Sequence, residues 1–190
     1  MVRAGLSAEI LTRAAAELAD EIGLANVTIT ALARRFGVRD ASLYSHLRGT
    51  RDLRTRLAAL ALTELADRAA AALAGRSGRD ALVAFADAYR GYATEHPGRY
   101  AAAQAELDEP EPAAADAARR HAALTRAILR GYGLAEPAET DAVRLLHSTL
   151  HGYVSLERVG GFRHHPRDAD ASWSRILVAL DTTLRHWPPD

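Results

Sequence analysis

The chain has 190 residues, of which 48% are apolar and 25% charged, and its formal net charge is zero; this balance is typical of a globular protein with a substantial core. It contains neither cysteine nor lysine, which excludes disulfides, thiolate metal sites and the nucleophiles and phosphate loops that need those side chains. No apolar run approaches the ~18 residues that cross a bilayer, and the N-terminus lacks the segments of a secretory signal. We therefore expect a cytoplasmic protein with no membrane partner.

Positive charge is concentrated near the N-terminus. Residues 1–56 hold nine arginines against six acidic residues, whereas residues 57–190 hold fifteen against eighteen. Between residues 30 and 56 the excess is larger, with seven arginines and two aspartates. Such a segment can attract phosphate groups, although a solvated helix face is the commoner reason for a similar composition.

Apolar residues recur three and four positions apart through most of the chain, and glycines and prolines interrupt the pattern. This periodicity predicts an all-α protein. The predicted helices cover residues 7–22, 28 or 30 to 36, 41–47, 50–74, 79–95, 99–107, 113–130, 138–159 and 170–186. Ser7 is a good N-cap for the first helix, which ends at Gly23. We expect one face of this helix to enter a core through Ile10, Leu11, Ala14, Leu18 and Ile22.

The next two short helices have the form of a helix-turn-helix. Gly37 permits a left-handed turn between them, Ala33 is small where two helices must cross, and Leu43 and Leu47 face inward. The remaining positions give the second short helix an outer face of polar groups and one small apolar group, which suits base edges and phosphates. These positions are Arg39, Ala41, Ser42, Tyr44, Ser45 and His46. We predict a three-helix DNA-binding domain at residues 1–49.

Residues 42–53 read SLYSHLRGTRDL and strongly resemble the third helix and following turn of TetR family regulators, which commonly read Ser-Leu-Tyr-x-His-Phe-x-x-Lys-x-x-Leu. The resemblance implies that Tyr44 and His46 contact phosphates and that Thr28 anchors its helix to the DNA backbone. It also places a set of side chains near the bases, namely Arg39, Ala41, Ser42 and Ser45. The whole protein would then be a transcriptional regulator rather than an enzyme.

Two positions depart from the family pattern. Leu47 stands where the family usually has phenylalanine, which changes the volume of a side chain in the same core. Thr50 stands where the family often has a phosphate-binding lysine. The missing cation puts that backbone contact in doubt unless Arg48 or Arg51 replaces it.

The resemblance also implies that residues 50–190 form a helical ligand-binding and dimerisation domain, with 50–74 as a connecting helix. The last two helices would pair with those of a second copy. The two DNA-binding domains of the dimer, about 34 Å apart, would then bind a palindromic double-stranded operator. A small organic inducer, bound without any cofactor, would shift the connecting helix and release a repressor. Within residues 150–162, His151 and Gly152 match a Trp-His-Gly subgroup of these domains, whereas Leu150 replaces the tryptophan.

Aromatic and polar side chains with suitable spacing are candidates for the ligand site. They are Phe85, Tyr89, Tyr92, His96, Tyr100 and Gln104. An enclosed organic ligand needs such a set, but an ordinary core has the same composition. His147 and His151 lie four residues apart, a spacing compatible with a ligand contact, a metal site or simple packing.

Two alternatives belong to other functional classes. One is an interaction module or dimeric DNA-binding protein whose C-terminal half binds no small molecule. The other is a small helical enzyme, against which the chain has no nucleophile elbow, no phosphate-cradling glycine loop and no His-Glu-x-x-His motif.

Overall fold

The computed structural model describes residues 5–105 and 112–188, and the regular structure in these ranges is entirely helical. This confirms the predicted all-α class. The helices are α1 (Ala8–Ile22), α2 (Ile29–Phe36), α3 (Asp40–Leu43), α4 (Thr50–Leu73), α5 (Gly78–Glu95), α6 (Pro97–Ala103), α7 (Pro112–Arg130), α8 (Ala138–Arg158) and α9 (Ala169–Arg185). The predicted end of the sixth helix, at residues 106 and 107, lies outside the described ranges. None of the helices described is long and apolar enough to cross a membrane.

The chain divides into two compact units. The first takes its described residues from 1–66 and 95–119, and the second from 67–94 and 120–190. The chain therefore leaves the first unit, returns to it through α6 and the start of α7, and leaves again. The segment predicted to bind DNA, residues 1–49, lies wholly within the first unit.

The core of the first unit is built mainly from α1, α2 and α4, with Leu43 and Leu47 fully buried beside them. The Ser7 hydroxyl caps α1 by accepting from the Ile10 N–H at 3.2 Å. Two of the predicted core residues in α1 are exposed, Ile10 and Ile22. Ile10 precedes the buried Leu11 by one position and so lies roughly 100° around the helix, off the buried stripe. Ile22 is the last helical residue, where the chain turns away.

Helix α6 packs against α1 with almost no space between their backbones. A Cβ atom added to Gly98 would lie 2.0 Å from the Ala19 carbonyl oxygen. Asp20 follows in α1, and its Oδ1 accepts the backbone N–H groups of Gly98 and Arg99, both at 2.9 Å. Its Oδ2 lies 3.0 Å from Arg99 Nε and 3.3 Å from His96 Nδ1. One carboxylate thus holds the whole first turn of α6.

In the second unit, Arg90 of α5 connects α8 and α9. It donates to both carboxylate oxygens of Glu157 at 2.9 and 2.5 Å, and to Asp170 at 2.7 Å. The Glu157 hydrogen bonds, more than any other contact, raise the pKa of Arg90 above its usual value. The guanidinium carbon also lies 5.2 Å from the ring centroid of Trp173, so charge and aromatic packing stabilise the same junction.

Candidate DNA-binding and ligand-binding sites

Local hydrogen bonds define both ends of α2. The Thr28 hydroxyl accepts from the Ala31 N–H at 3.1 Å and caps the start of the helix. Gly37 ends it in the left-handed region, with φ 64° and ψ 31°, a conformation that favours glycine. The Val38 N–H then returns to the Ala33 carbonyl at 3.1 Å. This closing motif fixes the direction in which the chain enters α3.

The second short helix is shorter than predicted. We expected residues 41–47, but α3 covers Asp40–Leu43 and a tight turn follows it. In that turn the N–H groups of His46 and Leu47 both donate to the Leu43 carbonyl at 2.9 Å. The backbone therefore keeps turning after Leu43 but does not form a regular helix. Leu47 remains 1% exposed and fills the core position that the family usually gives to phenylalanine.

The turn presents its polar groups to solvent. Tyr44 is 60% exposed, and the neighbouring side chains on this segment are exposed as well, with His46 half-buried: Arg39, Ala41, Ser42 and Ser45. The Ser45 hydroxyl donates to the Ser42 carbonyl at 2.9 Å. The sequence prediction that these side chains share an outer surface therefore has a structural basis, whereas their contacts with DNA remain a prediction.

The structure separates six of the seven arginines between residues 30 and 56 into two groups. Arg35 pairs with Glu17 and Glu21 at 2.9 and 2.7 Å. Arg54 donates to the Ala25 carbonyl at 2.8 Å, and Arg56 pairs with Asp52 at 2.9 Å. These three stabilise the fold.

A second group has no such partner. Within residues 5–105 and 112–188, no carboxylate is paired with the guanidinium of Arg34, Arg39 or Arg48, and all three residues are exposed. Arg34 was not among the residues singled out in the sequence. Its signal was present in the local charge, but charge alone does not distinguish a paired arginine from an available one. We refer to Arg34, Arg39, Tyr44 and Arg48 as the basic-aromatic surface.

The candidate ligand residues are divided between the two units. Phe85, Tyr89 and Tyr92 of α5 are buried in the second unit, where His147 of α8 is half-buried and His151 is exposed. Tyr100 and Gln104 belong to the first unit; Tyr100 is buried and Gln104, the C-cap of α6, is exposed. In the part of the chain that the structure describes, no three histidine, aspartate or glutamate residues form a possible metal site.

Sequence reasoning missed His121 of α7, which lies at the centre of the aromatic group. Its ring centroid is 5.4 Å from both Phe85 and His147 and 6.4 Å from Tyr89. Burial, with a smaller contribution from His147, lowers the pKa of His121 to about 4, and burial also lowers the pKa of His147. A single histidine in a helix rich in alanine and arginine gives no sequence signal, because only tertiary packing brings these side chains together.

Two short helices joined at a left-handed glycine, with exposed basic and aromatic side chains after the turn, define a helix-turn-helix protein. Residues 11–57 match the family described as bacterial regulatory proteins, tetR family, and residues 82–180 match the tetracyclin repressor-like C-terminal domain. The chain belongs to the TetR family of DNA-binding transcriptional regulators, and it is not an enzyme.

Two relatives and one solved structure show the extent of the similarity. The chain is 34% identical over 184 residues to the uncharacterized HTH-type transcriptional regulator YobS of Bacillus subtilis, covering 96% of this chain and 91% of that protein. It is 36% identical over 178 residues to the uncharacterized HTH-type transcriptional regulator Rv0681 of Mycobacterium tuberculosis, covering 93% and 81%. A TetR variant from Acinetobacter baumannii AYE in complex with minocycline has the same fold, with a TM-score of 0.71, 22% identity and coverage of 98% and 100%.

Proposed function

We propose that this regulator is a cytoplasmic, homodimeric repressor that binds a palindromic operator through residues 1–49 and is released by a small organic inducer bound within residues 50–190. The observation that carries the DNA-binding half is the basic-aromatic surface. Its three arginines have no acidic partner among the described residues, whereas Arg35 and Arg56 nearby are paired. An unpaired guanidinium can neutralise a phosphate without first breaking an ion pair.

Each residue that we expect to contact DNA has a proposed role. Tyr44 and His46 donate to phosphates, and the Thr28 hydroxyl, which accepts from the chain, still has its own hydrogen to donate. Arg48 supplies the cation that Thr50 does not, and Arg51 also lies close to the DNA backbone. The side chains proposed to lie near the bases are Arg39, Ala41, Ser42 and Ser45.

Exposed apolar residues at the end of α8 support a dimer through α8 and α9. Leu156 is 52% exposed and Val159 is 79% exposed, and a partner helix would remove both from water. The proposal that an inducer binds rests on the buried aromatic residues of α5 and on the minocycline complex of a structural relative. Because α4 contributes residues to both units, it is the element through which we expect ligand binding to lower DNA affinity.

The test is a fluorescence-polarisation titration of the protein against the intergenic DNA beside its own gene, with a palindrome-scrambled duplex as control, over a series of salt concentrations. We expect tight, salt-sensitive binding to the natural sequence alone. Arg39→Ala removes a cation from the interface, so it should weaken this binding and reduce its dependence on salt. Arg35→Ala is the matched control, since its guanidinium already pairs with Glu17 and Glu21, and it should leave the salt dependence unchanged.

If the intergenic DNA binds no better than the scrambled duplex, selection from random DNA replaces it as the probe. Failure to enrich any palindrome in that selection would contradict the operator-binding proposal. Equal loss of affinity in Arg39→Ala and Arg35→Ala would instead show that the basic-aromatic surface is not the reading surface.

A further inference from the structure

We propose that His121 is the hydrogen-bonding anchor of the inducer site, and that the inducer is a flat, apolar molecule with a neutral hydrogen-bonding group, such as a phenolic hydroxyl, rather than a carboxylate. This inference rests on the proposed ligand-responsive function. It concerns residues of the second unit alone.

Three helices contribute to the group around His121. Phe85 and Tyr89 come from α5, His121 from α7 and His147 from α8. The rings of Phe85 and His147 are tilted by 48° and 54° against the His121 ring, each with its centroid 5.4 Å away. Rings at such distances and angles are in direct aromatic contact with the imidazole, so a planar ligand that reached His121 would meet aromatic surface.

One polar atom in this group lacks the hydrogen-bond partner that buried polar atoms normally have. His121 Nε2 is buried and has no hydrogen-bond partner in the described part of the chain. A buried polar atom without a partner is destabilising, and such atoms are rare in native proteins. A ligand group that hydrogen-bonds to this nitrogen removes that cost, which gives the site its preference for a polar substituent.

The adjacent histidine already has a defined partner. The Thr125 hydroxyl donates to the His121 carbonyl at 3.1 Å and has only one hydrogen to give. The 3.2 Å contact between Thr125 Oγ1 and His147 Nε2 is therefore made with the imidazole donating. His147 is fixed by the protein itself, so the ligand-directed nitrogen is that of His121.

The charge of the two rings determines which polar groups fit. Burial lowers the pKa of His121 to about 4 and also lowers that of His147, so both rings are neutral near pH 7. Neither ring then offers a counter-charge to an anion, and burying an unpaired carboxylate costs far more than burying a hydroxyl. A neutral donor such as a phenol matches the free nitrogen at no such cost.

Three probes with the same ring isolate this preference: phenol, toluene and benzoate. Binding to the full-length protein is followed near pH 7 by the imidazole 15N resonances of histidine-labelled protein. We expect phenol to bind about tenfold more tightly than toluene, the gain typical of one hydrogen bond, with benzoate the weakest. Phenol should shift the Nε2 resonance of His121, whereas toluene should not.

Two variants test the assignment. His121→Phe keeps a ring in place but removes the nitrogen, so phenol should lose its advantage while toluene still binds. His164→Phe is the matched control, because His164 is an exposed histidine of the second unit outside the candidate ligand residues, and it should keep the full preference. If His121→Phe does not fold, as judged by circular dichroism, the wild-type resonance shift decides alone.

The proposal is overturned if phenol binds no better than toluene, if benzoate binds best, if no probe binds at millimolar concentration, or if His121→Phe retains the preference. Operator binding is measured on the same samples without probe. Intact operator binding with a negative probe result would therefore refute the anchor while leaving the DNA-binding proposal standing.

Discussion

Tyr44 is a large aromatic side chain that remains mostly exposed although both of its neighbouring leucines along the turn, Leu43 and Leu47, are fully buried. The two leucines pack the turn against the core, and the Tyr44 side chain between them in sequence points to solvent. An exposed tyrosine offers both an aromatic ring and a hydroxyl to a binding partner. DNA provides both a phosphate acceptor and apolar sugar surface for such a group.

The hydroxyl and the ring of Tyr44 can be tested separately. Tyr44→Phe should weaken operator binding several-fold through the loss of one hydrogen bond, and Tyr44→Ala should weaken it further. Because tyrosine is neutral, the salt slope should stay as in the wild type, unlike that of Arg39→Ala. Polarisation titrations at several salt concentrations measure both quantities. Wild-type affinity in Tyr44→Ala would remove this residue from the interface.

Gly98 offers a sharper test of packing. Gly98→Ala places a methyl group 2.0 Å from the Ala19 carbonyl oxygen, so α6 must move away from α1 and the variant should lose roughly 1–3 kcal/mol of stability or more. Gly152→Ala in α8 meets no atom within 4 Å and should be neutral or slightly stabilising, because alanine is the better helix former. Thermal unfolding of both variants is the measurement. A similar melting temperature for the two would mean that α6 does not need its close contact.

At the level of elements, features that depend on neighbouring residues were predicted from the sequence better than features that depend on tertiary contacts. The cap at Ser7 and the left-handed turn at Gly37 were predicted from residue type, since each depends on a few neighbouring atoms, whereas the capping role of Thr28 was not. The short α3 and the contacts of Asp20 and His121 were not predicted. Asp20 resembles any solvated charge on an amphipathic helix, and only the return of the chain at α6 provides its partners.

Asp20 should therefore be more important for stability than its position on α1 suggests. Asp20→Ala leaves two backbone N–H groups of α6 without their acceptor and should cost about 1–3 kcal/mol. Asp116→Ala is the comparison, because this exposed residue is held by a surface pair with Arg119 and its loss should change stability by less than about 0.5 kcal/mol. Urea unfolding curves separate the two cases. Equal midpoints would show that α6 is held by other contacts.

For the whole molecule, the lowered pKa of His121 predicts a dependence of stability on pH. Folding lowers the pKa of His121 from 6.5 to about 4, so between these values the unfolded chain binds the additional proton. Stability should accordingly fall as the pH is lowered from about 6.5 to about 4, by a few kcal/mol at most. His121→Phe should flatten this decline, whereas replacing the exposed His164 with alanine should not. A decline of the same slope in all three proteins, measured by thermal unfolding, would contradict the assignment.

The proposed dimer belongs to the same scale. Val159→Asp places a charge on the exposed apolar residue that follows the last residue of α8 and should weaken self-association. Operator affinity should fall as well, because two linked DNA-binding domains bind more tightly than one. Ile10→Asp changes an exposed isoleucine of α1 and should leave association intact. Sedimentation velocity measures the oligomeric state. An unaltered dimer in Val159→Asp would place the interface elsewhere.

The return of the chain to the first unit at residues 95–119 limits how the protein can be cut and recombined. A hybrid regulator made by joining residues 1–49 to a foreign effector domain would leave behind α6, and with it the backbone that covers Ala19 and the N–H groups that satisfy Asp20. In the hybrid, residues 1–49 would expose the face of α1 that α6 covers, and the Asp20 carboxylate would lose the N–H groups that donate to it. A functional chimera would have to carry α6 along or supply an equivalent helix from its new host.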